Sequence, residues 1–160
     1  MKKYSLEIKW AIIFVLMQLA WMLMEKLTGL HDKHLDKHAT YTMLVAIPSI
    51  LIYVLALRDK RNNYYNGVMN YKQGFITGLI ITVIVAILSP LTQYITSTFI
   101  TPNYFNNVIN YSVDNGHMTR DAAEKMFNLE SYILQGFVGA LIMGIITSAI
   151  VAVFMRTRGK

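Results

Sequence analysis

Four long apolar runs constrain the fold of this chain more than any other feature. The first, Ile8 to Met24, contains one charged residue, Lys9. The other three contain no Asp, Glu, Lys or Arg, and they are Tyr41 to Leu57, Gly74 to Leu88 and Tyr132 to Met155. Helices on a water-soluble protein carry a polar stripe, which these runs lack. Apolar helices of about 17–25 residues instead match the ~30 Å hydrocarbon core of a bilayer.

We therefore predict an all-α integral membrane protein, a single membrane domain over residues 1–160. Its four transmembrane helices are expected at about 8–28, 41–57, 74–99 and 130–155, with an external segment at 101–129. Trp10 and Trp21, near the two ends of the first helix, match the aromatic belts found at the level of the lipid headgroups.

The basic residues are divided unequally between the two sides of this arrangement. One side carries Lys2, Lys3, Lys9, Arg58, Lys60, Arg61, Lys72, Arg156, Arg158 and Lys160. The other side carries only Lys26, Lys33, Lys37, Arg120 and Lys125. Because Lys and Arg stay on the cytoplasmic side during insertion, both termini are predicted to be cytoplasmic, with Arg58, Lys60 and Arg61 as interface anchors. The net charge of +6 thus reflects topology, and we expect contacts with membrane lipids and none with nucleic acid.

The external segment between the third and fourth helices contains two helical patterns. The first begins after Thr101-Pro102, mixes aromatic and aliphatic residues with asparagines, and stops at Asp114-Asn115-Gly116. The second begins at Thr119, an N-cap candidate, and can continue through Asn128 into the fourth helix. We predict an amphipathic helical hairpin that lies on the membrane surface with its aromatic side down.

Two polar or small-residue patterns lie within the predicted spans. Small residues recur at every fourth position of helix four, at Gly136, Ala140, Gly144 and Ser148, and helix three carries Gly74 and Gly78, four apart. Such residues let membrane helices approach closely, either within one chain or between protomers. A polar stripe of Ser89, Gln93 and Thr96 surrounds Pro90, which frees the carbonyl near Ala86. The stripe is expected to satisfy that carbonyl, with a solute path as the alternative.

Three of the four histidines lie within eight residues, between the first two helices. On one continuous helix His31, His34 and His38 would share a face, with Asp32 and Asp36 beside it. Imidazole and carboxylate groups at this spacing could bind zinc, nickel or copper. A pH sensor and a solvated turn are the alternatives, since histidine gains a proton between pH 5 and 8 and Gly29 can end the helix. His117, in the other external segment, is a candidate fourth ligand.

No catalytic machinery is visible in the sequence. The chain has no cysteine and no nucleophile, nucleotide-loop or zinc-protease motif. Glu25 and Lys26, at the external end of the first helix, are expected to extend to the interface or to pair with each other, which leaves no ionisable residue at membrane depth. We therefore expect a protein that is not an enzyme, with no cofactor other than a possible divalent metal.

Short motifs are spread over nearly the whole chain. They include Leu30-His31-Asp32-Lys33-His34, Ile47-Pro48, Arg58-Asp59-Lys60-Arg61, Lys72-Gln73-Gly74-Phe75, Leu88-Ser89-Pro90 and Ile100-Thr101-Pro102. Their order resembles the small bacterial membrane proteins of domain-of-unknown-function family 4199. The resemblance implies a four-helix protein of an inner membrane, with the external side periplasmic, and it brings no assigned activity.

Three functional hypotheses follow. The first is an accessory subunit or self-associating scaffold, a homo-oligomer or a partner of other membrane subunits, that packs through the ladder of helix four. The second is a periplasmic metal or pH sensor built on the His cluster. The third is a transporter of a small solute or lipid along the polar stripe.

Overall fold

A computed structural model describes residues 4–157 of the chain. Within that range the protein is helical, without strands. Four stretches are long and apolar enough to cross a membrane: Ser5–Leu27, Leu35–Asn63, Tyr71–Ile100 and Leu129–Met155. These lengths and compositions are compatible with a multi-pass membrane protein. Lys2, Lys3, Arg158 and Lys160, predicted to be cytoplasmic, lie outside the described residues.

The four stretches are built from several helical elements. The first is α1 (Ser5–Leu27), and the second joins α2 (Leu35–Tyr41), a 3₁₀ turn (Thr42–Val45) and α3 (Ala46–Asn63). The third joins α4 (Tyr71–Ile95) to a π-helical turn (Thr96–Ile100). Two short helices, α5 (Tyr104–Asp114) and α6 (Arg120–Met126), precede the fourth stretch, α7 (Leu129–Met155).

Local sequence signals set the helix ends. Gly29 follows α1 with a φ of 77°, and the backbone N–H groups of Gly29 and Leu30 donate to the carbonyls of Lys26 and Glu25. This is a Schellman motif, which needs a residue that adopts positive φ at low cost. At the start of α4, the side chains of Asn70 and Gln73 each accept a hydrogen bond from the other's backbone N–H. That capping box starts the third apolar stretch.

Proline accounts for the irregular turn of the second stretch and for a freed backbone carbonyl in the third. Pro48 lies in the first turn of α3, just after the 3₁₀ turn. Because its ring would clash with the carbonyl four residues earlier, a regular α-helix cannot extend through the preceding turn. In α4, the Ser89 hydroxyl donates to the Ala86 carbonyl over 2.8 Å, beside Pro90. The predicted role of Ser89, to satisfy the carbonyl freed by Pro90, is therefore confirmed.

The closest helix pair is α4 with α7. A Cβ atom at Gly144 would overlap the Thr82 side chain, and one at Gly78 would overlap Ser148. The hydroxyls of Ser148 and Thr82 are both fully buried, and Ser148 donates to the Gly144 carbonyl over 2.6 Å. These small residues of helix four thus face helix three of the same chain. A Cβ at Gly136 would meet nothing within 4 Å, so the outer part of the ladder is open.

Two short helices, α5 and α6, lie where the helical hairpin was predicted, and they differ in two respects from that prediction. The second arm does not run on into the fourth stretch, because Asn128 caps α7 by accepting from the Ser131 N–H. The aromatic start of α5, which was predicted to lie against the membrane, contacts other side chains of the protein. Tyr104 packs on His31 and His38, and Phe105 packs on Tyr132, so α5 covers the end of the bundle.

A buried ion pair ties α1 to α3 at the end of the bundle that carries both termini. The Lys60 ammonium lies 2.8 Å from Oε1 of Glu7, and both side chains are at most 4% exposed. The other carboxylate oxygen of Glu7 has no hydrogen-bond partner within the described range. Lys60 also lies 3.7 Å from the centre of the Tyr64 ring. This lysine, predicted as an interface anchor, is therefore placed inside the protein.

Candidate metal centre

Glu25 forms the base of a buried polar cluster at the opposite end of the bundle. It lies in the last turn of α1 and is 0% exposed, so the expectation that it extends to the interface is wrong. The indole N–H of Trp21, one turn earlier, donates to its Oε1 over 2.6 Å. A carboxylate at a helix C-terminus faces the negative end of the helix dipole and needs compensating partners when it is buried.

Two histidines supply those partners. The Nε2 atom of His31 lies 3.0 Å from Glu25 Oε2, and the Nε2 atom of His38 lies 3.5 Å from the same oxygen. His31 follows the Schellman turn and is 4% exposed, whereas His38 comes from α2 and is half-buried. Nδ1 of His31 is buried without a partner, and a buried N–H without an acceptor is costly. We therefore assign the His31 proton to Nε2 when no metal is bound.

The helix α5 closes this cluster from outside. The Tyr104 ring packs against His31 and His38 at centroid distances of 5.1 and 5.5 Å, and its hydroxyl lies 3.2 Å from that of Tyr132. Burial, with Tyr132 and Glu25 nearby, raises the pKa of the Tyr104 phenol well above its usual range. The Tyr104 side chain is therefore uncharged, and it covers the two histidines. The Asn107 amide also donates to the His31 carbonyl over 3.0 Å, which fixes the turn to α5.

The three ligand atoms have separations that suit one small cation. Glu25, His31 and His38 each offer an atom within 4.8 Å of the other two. Zinc binds nitrogen and oxygen at about 2.0–2.2 Å, so tetrahedral geometry separates two ligands by about 3.4 Å. The separations of 3.0 and 3.5 Å bracket that value. Two imidazoles and one carboxylate can therefore hold a divalent transition metal with a fourth position left for another ligand.

The structure brings together only part of the predicted His cluster. His31 and His38 meet, but His34 is exposed at the N-terminal cap of α2 and has no place in the centre. Asp32 and Asp36 are exposed and do not join the three-residue group. His117 is exposed and contacts Tyr111 instead. The fourth apolar stretch contributes Tyr132, whose ring contacts that of Tyr104.

The remaining predicted residues make contacts within the protein. Trp10 donates to Asp59 over 2.7 Å, and Arg61 donates to the Met155 carbonyl over 3.3 Å. In the polar stripe, the Gln93 amide donates to the Ser97 hydroxyl. Thr96 is buried, and its carbonyl accepts from Thr101. Gly74 lies against Ala152, and Ala140 packs on the core. Arg58 is exposed.

Comparison with known proteins places the chain in a family. The family described as protein of unknown function (DUF4199) matches residues 9–157, nearly the whole chain. The chain belongs to the DUF4199 family. Neither the curated proteins nor the solved structures that were compared contain a match. The resemblance seen in the sequence is therefore confirmed. The matched region of this DUF4199 protein contains Glu25, His31 and His38, whereas Glu7 lies before it.

Sequence reasoning missed two residues that matter most in this DUF4199 protein. Glu25 and Glu7 lie on the same face of α1, about five turns apart at 3.6 residues per turn. Their positions give a usable signal: each is an acid at one end of an otherwise apolar helix, and Glu25 sits where the helix dipole opposes its charge. An acid in that position calls for a buried cationic or metal partner.

Proposed function

We propose that this DUF4199 protein is a metal-responsive protein of the bacterial inner membrane, with Glu25, His31 and His38 as the ligands of a divalent transition metal. The observation that carries the proposal is the convergence of two imidazole nitrogens on one buried carboxylate oxygen. Calcium and magnesium prefer oxygen ligands, whereas a His₂–carboxylate set suits zinc and its neighbours. We take zinc as the first candidate.

The charge distribution supports a topology for the proposal. Both chain ends, the last turns of α3 and the first turn of α4 carry most of the basic residues, so we propose that they face the cytoplasm. The metal centre lies at the other end and would face the periplasm. We propose further that the protein is not an enzyme and that it reports the bound metal. The centre joins α1, α2 and α5, so a cation that draws the ligands together would also reposition α5 through Tyr104 and Asn107.

The accessory-subunit and transport hypotheses have weaker support. The ladder that suggested self-association is partly filled, since Gly144 and Ser148 contact Thr82 and Gly78 of the same chain. In the polar stripe that suggested a solute path, Ser89 and Gln93 form hydrogen bonds within their own helical stretch. Neither pattern therefore favours those functions over metal binding.

Metal stoichiometry tests the proposal. The protein is extracted in native-lipid particles, loaded with zinc and stripped of excess, and its metal is measured by plasma mass spectrometry alongside the intact mass. We expect one zinc per chain. Replacing His31 or His38 by alanine, or Glu25 by glutamine, should weaken binding by at least 100-fold, since even residues behind the ligands are worth about 10- to 100-fold.

His34→Ala is the matched control. It removes a histidine from the same segment, but this side chain lies outside the three-residue group. It should therefore keep one zinc per chain. The proposal is wrong if the unaltered protein binds no zinc, nickel or copper, or if His34→Ala loses as much metal as His38→Ala. Helical content measured by circular dichroism separates lost ligands from lost folding.

A further inference from the structure

A cleft of about 290 Å³ lies beside the metal centre, between the end of α1 and the start of the second apolar stretch. Its apolar wall includes Met24, Tyr41 and Leu44. These side chains are 44%, 50% and 46% exposed, so the wall is open along the outside of the bundle. His31 and His38 do not line the cleft, so the cleft shares only Glu25 with the metal centre.

Two nitrogen-bearing side chains lie at the polar end of the cleft. Lys37 and His34 line it, and neither forms an ion pair or a side-chain hydrogen bond with any other residue in the described part of the chain. Glu25 also borders the cleft, but its two oxygens already have partners in Trp21, His31 and His38. The charge in the cleft that has no partner is therefore positive, and it lies in the same cleft as the apolar wall.

We propose that this cleft binds an anionic phospholipid, with the lipid phosphate at Lys37 and His34 and an acyl chain along Met24, Tyr41 and Leu44. A phosphate needs donors with unused hydrogen-bonding capacity, and a lysine near the membrane surface attracts anionic lipid. An apolar wall that opens sideways at the end of two membrane-spanning stretches suits an acyl chain and does not suit a small soluble anion. The inference does not rest on metal binding.

Two lysines in the same segment provide a sharp test. Both lysines are exposed, but Lys37 lines the cleft and Lys33 does not. The full chain is placed in nanodiscs of phosphatidylcholine with a minor fraction of phosphatidylglycerol, and the lipids retained on the protein are counted by native mass spectrometry. We expect retained phosphatidylglycerol to fall about fivefold or more in Lys37→Gln, because the substitution removes a charge-assisted hydrogen bond to the phosphate, and to stay unchanged in Lys33→Gln.

Three outcomes would overturn the inference. If both variants lost the same amount of phosphatidylglycerol, the lipid would be held by general attraction to basic residues at the membrane surface and not by the cleft. If the unaltered protein retained phosphatidylglycerol no better than phosphatidylcholine, an anionic phospholipid would not be its ligand. Release of the lipid by millimolar inorganic phosphate would mean that the site recognises a free anion. Matching melting temperatures of the two variants show that neither substitution acts through folding.

Discussion

Replacing Lys60 by methionine should lower the melting temperature of the protein by about 10 °C or more. The substitution leaves the Glu7 carboxylate, 1% exposed, without its cation. Removing one partner of a buried ion pair costs about 3–5 kcal/mol, and a protein of this size loses about 2–4 °C per kcal/mol. Fluorescence from Trp10 and Trp21 during heating in nanodiscs measures the transition.

Two further variants separate lost pairing from lost packing. In Glu7→Leu with Lys60→Met both charges are absent, so most of the stability should return, because two apolar side chains leave no charge without a partner. Lys9→Met is the matched control. Lys9 also pairs with an acid of α3, Asp59, but its side chain is 58% exposed, and exposed pairs are worth at most about 1 kcal/mol. A double variant no more stable than Lys60→Met alone would refute this explanation.

Gly144→Leu should separate α4 from α7 and destabilise the protein by about 3 kcal/mol or more. Even a Cβ atom at this position would overlap Thr82, which is held between Tyr53 and the Gly78 carbonyl. Overpacking a close helix contact typically costs about 1–3 kcal/mol, and leucine adds three more carbons in the same direction. The expected result is a melting temperature lower by about 10 °C, with the oligomeric state unchanged.

Gly136→Leu is the informative counterpart on the same helix. A side chain there meets open space, so the melting temperature should shift by less than 2 °C, about 0.5 kcal/mol or less. Intact-mass measurement in native-lipid particles gives the number of copies in the same samples. If Gly144→Leu kept its melting temperature and changed only that number, the ladder would act between chains and the packing described here would be wrong.

The helical architecture could be predicted because it depends on interactions between residues that are close together in the sequence. Stretches without charge predict apolar helices, Gly29 ends α1 through its positive φ, and Ser89 satisfies the carbonyl that Pro90 frees. Helix boundaries that depend on a cap were harder. Asn128 accepts from the Ser131 N–H and interrupts the chain between α6 and α7, although the helical pattern continues across it.

For the candidate centre the sequence predicted His31 and His38 but not Glu25. The reason is the turn at Gly29. Spacing arguments assumed one helix through His31, His34 and His38, but α2 begins only at Leu35. The turn reverses the chain, sends His31 back towards α1 and leaves His34 outside. A carboxylate from the preceding helix then completes the group. Contacts made across a reversal depend on the three-dimensional path, which residue spacing along one helix does not contain.

The two acids of α1 have a consequence for how a signal could cross the protein. Glu7 is paired with Lys60 at one end of the helix, and Glu25 is held by Trp21 and two histidines at the other. A rotation or a piston-like slide of α1 would break both sets of contacts at once. α1 is therefore held at both ends, whereas the second stretch is jointed where its 3₁₀ turn precedes Pro48, so a movement that starts at the metal centre would pass along the second stretch and not along α1.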